Sequence, residues 1–412
     1  MALSAPSLPA ILFAPLVGVA ARCADFRHCP VLSDPAWLLL GATRALHAHA
    51  SGRGFLQEVG PLLPECPELG HFFETLKSDR RLALCQQANV HLARLLTDDP
   101  FAHLACLREF DLYAADGHWH GAAAHAVPLD GAKRATGHFF ALNLRTQALS
   151  HLTRAQGKKE HDMHALKRLD HATLRHHAPA GRKVLYAYDC ASIDYGQWQK
   201  WKQSGGIYFV SLTKEKMDLR VTRQNALDQT DPNRAGITAD ELVATVAGIA
   251  LRRIRYTHPA TGEKYEFLTS EFTLPPGVIA FLYLRRWDLE KIFDELKNKL
   301  GAKRAWASTA VAQEMQAHLL CLAHNLLQLF ERHLAAAHQV RNVAEEKRRA
   351  RRLAAQRQLA KARGAELPAL VQTHQRLTQT SLKLFRWLRG HFFSPLPLAV
   401  LVPILARSYA HL

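Results

Sequence analysis

The sequence predicts an α/β fold: a mixed-sheet core with a β-rich insertion, flanked by helical N-terminal and C-terminal regions. Three observations predict it. From Pro35 to about Arg108 the apolar positions carry helical spacing, with pauses at Ser51–Gly54 and Pro61–Pro67. From Glu109 the texture changes to short apolar runs alternating with polar helical stretches. From about residue 309 it returns to helix. A chain of 412 residues, 48% of them hydrophobic, can bury cores for two or three domains, or for one domain with a large insertion.

Residues 1 to about 35 are proline-rich and weakly patterned, and read as irregular. PAWLLLGATRALHAHA and LGHFFETLKSDRRLALCQQANVHLARLL have helical spacing with basic residues, so 1–108 reads as a helical region. The core follows at 109–308. EFDLYAADGHWHG reads as a strand running into an Asp-Gly turn. HGAAAHAV and GHFFALNLR serve as the next two strands. KKEHDMHALKRLDHATLRH reads as a polar helix, RKVLYAYD as a buried strand, IDYGQWQKWKQSG as a helix ended by Gly205-Gly206, and IYFVSLT as another strand. That is the order of a ribonuclease-H-like core lacking a final helix, which Tyr283 to Leu300 supplies. Between them, at about 214–275, DLRVTRQN, GIALRRIRYTH and KYEFLTSEF read as a β-rich insertion. Residues 309–412 read as a helical, basic C-terminal region.

The formal charge of +17 points to a polyanionic partner, with nucleic acid first. No run of about 18 apolar residues supports a membrane span. The apolar N-terminus lacks a positive segment before it and is broken by prolines, unlike a signal peptide. Seven cysteines without C-x-x-C pairs suit a reducing cytoplasm. Cys23 and Cys29 lack the usual spacing of a zinc site, and His176-His177 and His161/His164 read as surface residues.

The chemistry concentrates in YLRRWDLEKIFDELK. Read as one helix, Tyr283, Arg286, Glu290 and Lys297 fall at roughly 0°, 300°, 340° and 320° on the wheel, along the edge of an apolar face. Arg285 falls inside that face, which requires a snorkelling side chain or a helix that begins a turn later. A carboxylate, two cations and a phenol on one edge suit metal and phosphate together. Phosphodiester cleavage needs an activated attacking oxygen and a stabilised leaving oxygen. Two divalent ions do both, held by carboxylates from separate elements. Asp116 ends the first core strand, Asp189 ends RKVLYAYD, and Glu290 comes from the helix that crosses the same edge. Asp116 has a rival in Asp111 at the start of the first strand, and Glu290 in Asp294 on the same stripe; Asp189 could instead cap the following helix, but Asp194, five residues on, fits that role better.

The spacing Y-x2-R-x3-E-x6-K, preceded by these two acids, resembles the DDE transposases of the insertion-sequence-four type, over roughly residues 109–330. The resemblance implies a metal set of Asp116, Asp189 and Glu290. It implies DNA-end contacts at Tyr283, Arg286 and Lys297. It also implies two Mg²⁺ ions, with Mn²⁺ as substitute, and strand cleavage and transfer at element ends. The implied partners are double-stranded DNA, as terminal inverted repeats and target, and a second copy of the chain on paired ends. The implied setting is the cytoplasm of a prokaryote, at the nucleoid. The segment 1–108 is the implied DNA-end-binding region, by position and charge. One departure stands out: Cys190 follows the second Asp, where the resemblance leads one to expect arginine. A nuclease that cuts without joining, or a copy that binds without cutting, is the alternative.

Overall fold

The computed structural model of the chain describes residues 6–23, 32–49, 51–62, 66–128, 131–157, 160–214, 217–374 and 379–410. It begins with α1 (Leu8–Ala20), α2 (Asp34–His47), α3 (Gly52–Val59), α4 (Leu69–Thr75) and α5 (Asp79–Arg94). The core follows as β1 (Phe110–His120), β2 (Thr136–Asn143), β3 (Leu149–Arg154), α6 (Asp162–Lys167), α7 (His171–Leu174), β4 (Lys183–Ala187), α8 (Tyr195–Gly205) and β5 (Ile207–Leu212). Four strands come next, β6 (Leu219–Gln224), β7 (Ile237–Thr245), β8 (Ala250–Thr257) and β9 (Lys264–Thr269), and then α9 (Pro276–Leu284) and α10 (Trp287–Lys299). The C-terminal helices are α11 (Ala310–His338), α12 (Val343–Ala362), α13 (Ala369–Thr373), α14 (Leu382–His391) and α15 (Leu398–Ala410).

All of these strands join one sheet in the order β3-β2-β1-β4-β5-β9-β8-β7-β6. β1, β4 and β5 are parallel neighbours, and the rest pair antiparallel. The inserted strands therefore extend the core sheet through β9 rather than forming a layer of their own. Side chains alternate across it. Leu112 and Ala114 of β1 enter the larger core, beneath α11 and the N-terminal helices. Tyr113 and Ala115 enter the smaller one, beneath α6 and α8. α1, α2 and α5 share the larger core with α11.

Several elements differ from the sequence reading. Within the stretch taken as irregular, α1 forms with Ser7 as N-cap and Pro9 in its first turn, where no backbone donor is needed. β1 does not turn at Asp116-Gly117. Its ladder with β2 continues to His120↔Thr136, and that pairing outweighs the turn preference of Asp-Gly. Residues 121–127 lie beyond the strand and form a loop, and the third strand is LSHLTR, β3. A tight turn with Gln147 at φ 69° makes β2 and β3 a hairpin. The polar helix is two short ones, interrupted at Asp170, whose carboxylate caps Thr173 N–H at 2.6 Å. β7 shows no strand pattern in the sequence because it carries Asp240 and Glu241. Both are buried, paired with Arg252 and Arg253 of β8. Cys23 is buried, and Cys29 lies outside the described residues.

α11 fastens the sheet edge and the candidate site together. Asn325 accepts from Leu149 N–H at 2.9 Å and donates to Leu149 C=O at 3.0 Å, binding the backbone of the edge strand. Next to Asn325 in the chain, His324 reaches Glu295 of α10, which is fully buried. Glu295 meets His324 Nδ1 at 2.9 Å and accepts from Thr380 N–H at 2.7 Å. Burial pushes its carboxyl up, but His324 and the Thr380 amide more than offset that and hold it below the usual range.

Candidate active site

β1 and β4 run parallel and in register to Ala114↔Ala187. Asp116 and Asp189 each stand two residues beyond that pair, side by side where β4 ends and β1 runs on. Asp116 still pairs with β2, opposite Phe140, and its Oδ1 accepts from Gly117 N–H at 2.8 Å. Asp189 follows the end of β4, and its Oδ1 accepts from Cys190 N–H at 2.6 Å, opening a short 3₁₀ turn. Asp194 caps α8 through Gln197 N–H at 2.9 Å, as its position suggested. Asp111 stands at the opposite end of β1, paired with Arg182.

The helix carrying the third acid is not continuous. α9 ends at Leu284 and α10 starts at Trp287. Between them Arg286, Asp288 and Leu289 donate to carbonyls three residues back rather than four, at 2.9–3.0 Å. Such 3₁₀ bonding overwinds the chain and changes the phase of the stripe. This resolves the misfit at Arg285: it precedes α10, is buried, and pairs with Asp288. Tyr283 lies in the core, 2% exposed, with its ring 5.0 Å from that of Phe267. Burial pushes its phenol up, and the neighbouring Arg286 acts against that push.

Arg286 is the centre of the arrangement. Its guanidinium bonds Asp116 Oδ2 at 2.7 Å and Glu290 Oε1 at 3.1 Å. Burial disfavours its charge, but Tyr283, Asp116, Asp189 and Glu290 together keep its pKa above the usual value. Two acids 174 residues apart in sequence thus converge on one cation, with Asp189 close enough to act on it. Asp294 lies one turn further along α10, exposed, and bonds Asn298 and Gln379 instead. Lys297 is exposed on the same helix, near His118 of β1.

Cys190 carries no positive charge to the site. Its thiol is pushed up by burial and by Asp189. Two residues at the site gave no signal in the sequence. Asp162, first residue of α6, stands near Asp116 and Asp189. Trp287 is 47% exposed beside Arg286, 5.7 Å from ring centroid to guanidinium. Neither belongs to a recognisable spacing, and only the tertiary fold brings them here.

Among the described residues, the one group of metal-ligand atoms all within 4.8 Å of one another is His47, His49 and Glu58. Arg44 and Arg389 lie close to it, which disfavours a second cation there. The three acids are held wider, with Arg286 between two of them. Their donor set is nonetheless hard oxygen throughout, and two of the carboxylates already share one positive charge. That chemistry fits divalent magnesium or manganese.

Burial raises the Asp116 carboxyl to about 6, against the lowering effects of Arg286 and the Gly117 amide and with further raising by Asp162 and Asp189. A carboxyl raised in the folded state adds stability below its unfolded pKa and loses it as pH rises through the folded value. The metal-free protein is therefore expected to lose about 2–3 kcal/mol between pH 4 and pH 8 from this group. Urea unfolding in EDTA checks it. Asp116→Asn should remove that share of the pH dependence and be the more stable protein at pH 8.

Comparison with known proteins covers part of this region. Residues 131–326 match the family described as the transposase DDE domain. The match includes Asp189 and Glu290, while Asp116 lies 15 residues before it. A protein of Sinorhizobium fredii named "Putative transposase y4zB" is 26% identical over 155 residues, covering 36% of this chain and 43% of that relative. The chain thus spans less than half of that relative's length. Both comparisons support a DDE transposase. Among the described residues, no helix is long and apolar enough to cross a membrane.

Proposed function

We propose that the chain is a DNA transposase of the insertion-sequence-four type. It cuts one strand at each end of its element and joins the freed 3′-hydroxyl to target DNA. The observation that carries this reading is the Arg286 bridge between Asp116 and Glu290, with Asp189 at the adjoining strand end. Asp116, Asp189 and Glu290 are the residues that would hold two Mg²⁺, or Mn²⁺. When bound, the ions supply the positive charge that both the attacking and the leaving oxygen need.

The chain's own cations do the rest. Arg286 is the buried fork beside the acids, suited to clamp a non-bridging phosphate oxygen. Tyr283 fixes its direction from the core rather than reaching DNA itself. Lys297 is the solvent-facing contact to the backbone, and Trp287 offers an exposed ring to an unstacked base. Lys297→Ala is expected to lower the salt dependence of end binding by about one counterion. Fluorescence anisotropy across a salt series measures it, and an unchanged slope would make Lys297 a bystander.

Two ends must be joined to one target, and one site handles one end at a time. Two protomers on paired ends are the simplest arrangement. The charge of +17 keeps free copies apart until phosphates neutralise it. The test uses the DNA flanking the reading frame, which should carry inverted repeats. Incubated with purified protein and Mg²⁺, labelled repeat ends should yield a 3′-hydroxyl nick and then a joined product. Nicks without joining would indicate a nuclease, and binding without nicks an inactive copy.

A further inference from the structure

Packing does not account for α12. Of its 20 residues only Ala344 and Ala360 are buried, one near each end, the second against Ala260 and Leu367. Its charge is one-sided. Residues 347–363 hold eight Lys and Arg and no acid. Glu345 and Glu346 stand in the first turn, where the helix dipole favours them, and Glu345 pairs with Arg348 and Arg349. Among the described residues, Lys347, Arg351, Arg357 and Lys361 are exposed and make no ion pair. Lys347 and Arg351, Arg348 and Arg352, and Arg357 and Lys361 are like charges four residues apart, which repel on a helix surface. An outside anion relieves all three pairs at once.

The placement of these cations fits an extended anion. At 100° per residue Lys347, Arg351, Arg357 and Lys361 fall within one arc of about 120°, and the outer two are about 21 Å apart along the axis. Ala350 and Ala354 fall in the same arc, so the cations rise from a low surface that a phosphate backbone can approach closely. On the opposite side, Arg349, Arg352 and Gln356 line a groove of about 380 Å³ that Leu284, Arg285 and Lys291 also line. Lys291 follows Glu290 in α10, so α12 lies alongside the helix that carries the third acid. An anionic membrane fits less well, because Leu353 and Leu359 stand about 120° apart and the helix has no apolar face to insert.

We propose that the outward face of α12 is a sequence-independent contact for duplex DNA, its lysines and arginines neutralising phosphates beside the cleavage site. Phosphate contacts hold and orient a duplex without reading its bases. The inference rests on the reading of the chain as a DNA enzyme and adds a surface to it.

The test is binding of the full chain to a random-sequence duplex in EDTA, by fluorescence anisotropy across a salt series. The parent is compared with the combined variant Lys347→Ala, Arg351→Ala, Arg357→Ala, Lys361→Ala. Each lost phosphate contact removes about 0.9 from the slope of log affinity against log salt, so the slope should fall by about three to four. At about 0.1 M salt the affinity should drop at least tenfold. A control variant removes the same charge from exposed positions elsewhere: Arg108→Ala, Lys200→Ala, Arg220→Ala, Arg386→Ala. It should keep most of the slope. Alanine suits a helix and relieves the repulsion, so the α12 variant should melt no lower than the parent. An unchanged slope overturns the assignment, as does an equal loss in the control or a lower melting temperature in the α12 variant. So does a loss confined to phosphatidylglycerol vesicles, which would make the face a lipid contact. If the α12 variant keeps the parental slope while the parent still cuts repeat ends, this assignment alone fails. If the parent binds no duplex, the DNA reading fails with it.

Discussion

Asp116→Asn, Asp189→Asn and Glu290→Gln should each leave the protein folded and bound to repeat ends while cutting cleavage by at least about 10³-fold. Each exchange removes one anionic oxygen and almost no volume. Losing a ligand to a charge-stabilising ion costs several kcal/mol at the transition state, and about 4 kcal/mol is 10³ in rate. Asp294→Asn and Asp194→Asn should stay within a few-fold of the parent. The structure gives those acids other work: Asp294 ties α10 to Gln379, and Asp194 caps α8. Single-turnover cleavage of a labelled end, beside an end-binding titration, checks all five. An inactive Asp294→Asn with an active Glu290→Gln would put the third acid one turn further along α10.

The largest effect on stability is expected at Glu295, on the opposite side of the same helix. Glu295→Ala leaves His324 and the Thr380 amide buried without their acceptor. Breaking a buried hydrogen-bonded pair costs about 3–5 kcal/mol. Glu295→Gln keeps an oxygen for the Thr380 amide and should cost less. Because the Glu295 carboxyl is held below the usual range, its contribution is present above the unfolded pKa and is lost as pH falls. Urea unfolding at neutral pH and in acid measures both trends. A loss under about 1 kcal/mol for Glu295→Ala would mean that water enters and solvates the gap. Since α10 carries Glu290, the Ala variant should also lose cleavage in proportion to how far α10 moves.

Much of this was legible in the sequence, and the parts that were not share a physical reason. Local signals found the strands buried on both faces, such as RKVLYAYD and IYFVSLT, and the α8 cap at Asp194. The Y-R-E-K spacing found the helix that crosses the sheet edge. Where tertiary pairing decides, the local signal misled. Asp-Gly at 116–117 is a turn dipeptide, yet β2 holds it extended. Asp240 and Glu241 mask the strand pattern of β7, yet arginines of β8 pair with them and keep them in the sheet. The break at Arg285-Arg286 moves Tyr283 off the stripe and into the core, which a regular helical wheel does not represent. Asp162 and Trp287 reach the site only through the fold. Cys190 was visible from the start as a missing cation, and the structure puts Arg286 at the acids instead.

The central claim is that Asp116, Asp189 and Glu290 together form one metal site. Replacing Mg²⁺ with Fe²⁺ and adding ascorbate and peroxide generates hydroxyl radicals at the bound ion, which cut the polypeptide nearby. Mapping the fragments by mass spectrometry locates the ion directly. The account predicts cuts clustered around residues 116, 189 and 290, suppressed by excess Mg²⁺ and lost in Asp189→Asn. Cuts centred on His47, His49 and Glu58, or cuts at the three acids that persist in Asp189→Asn, would contradict it.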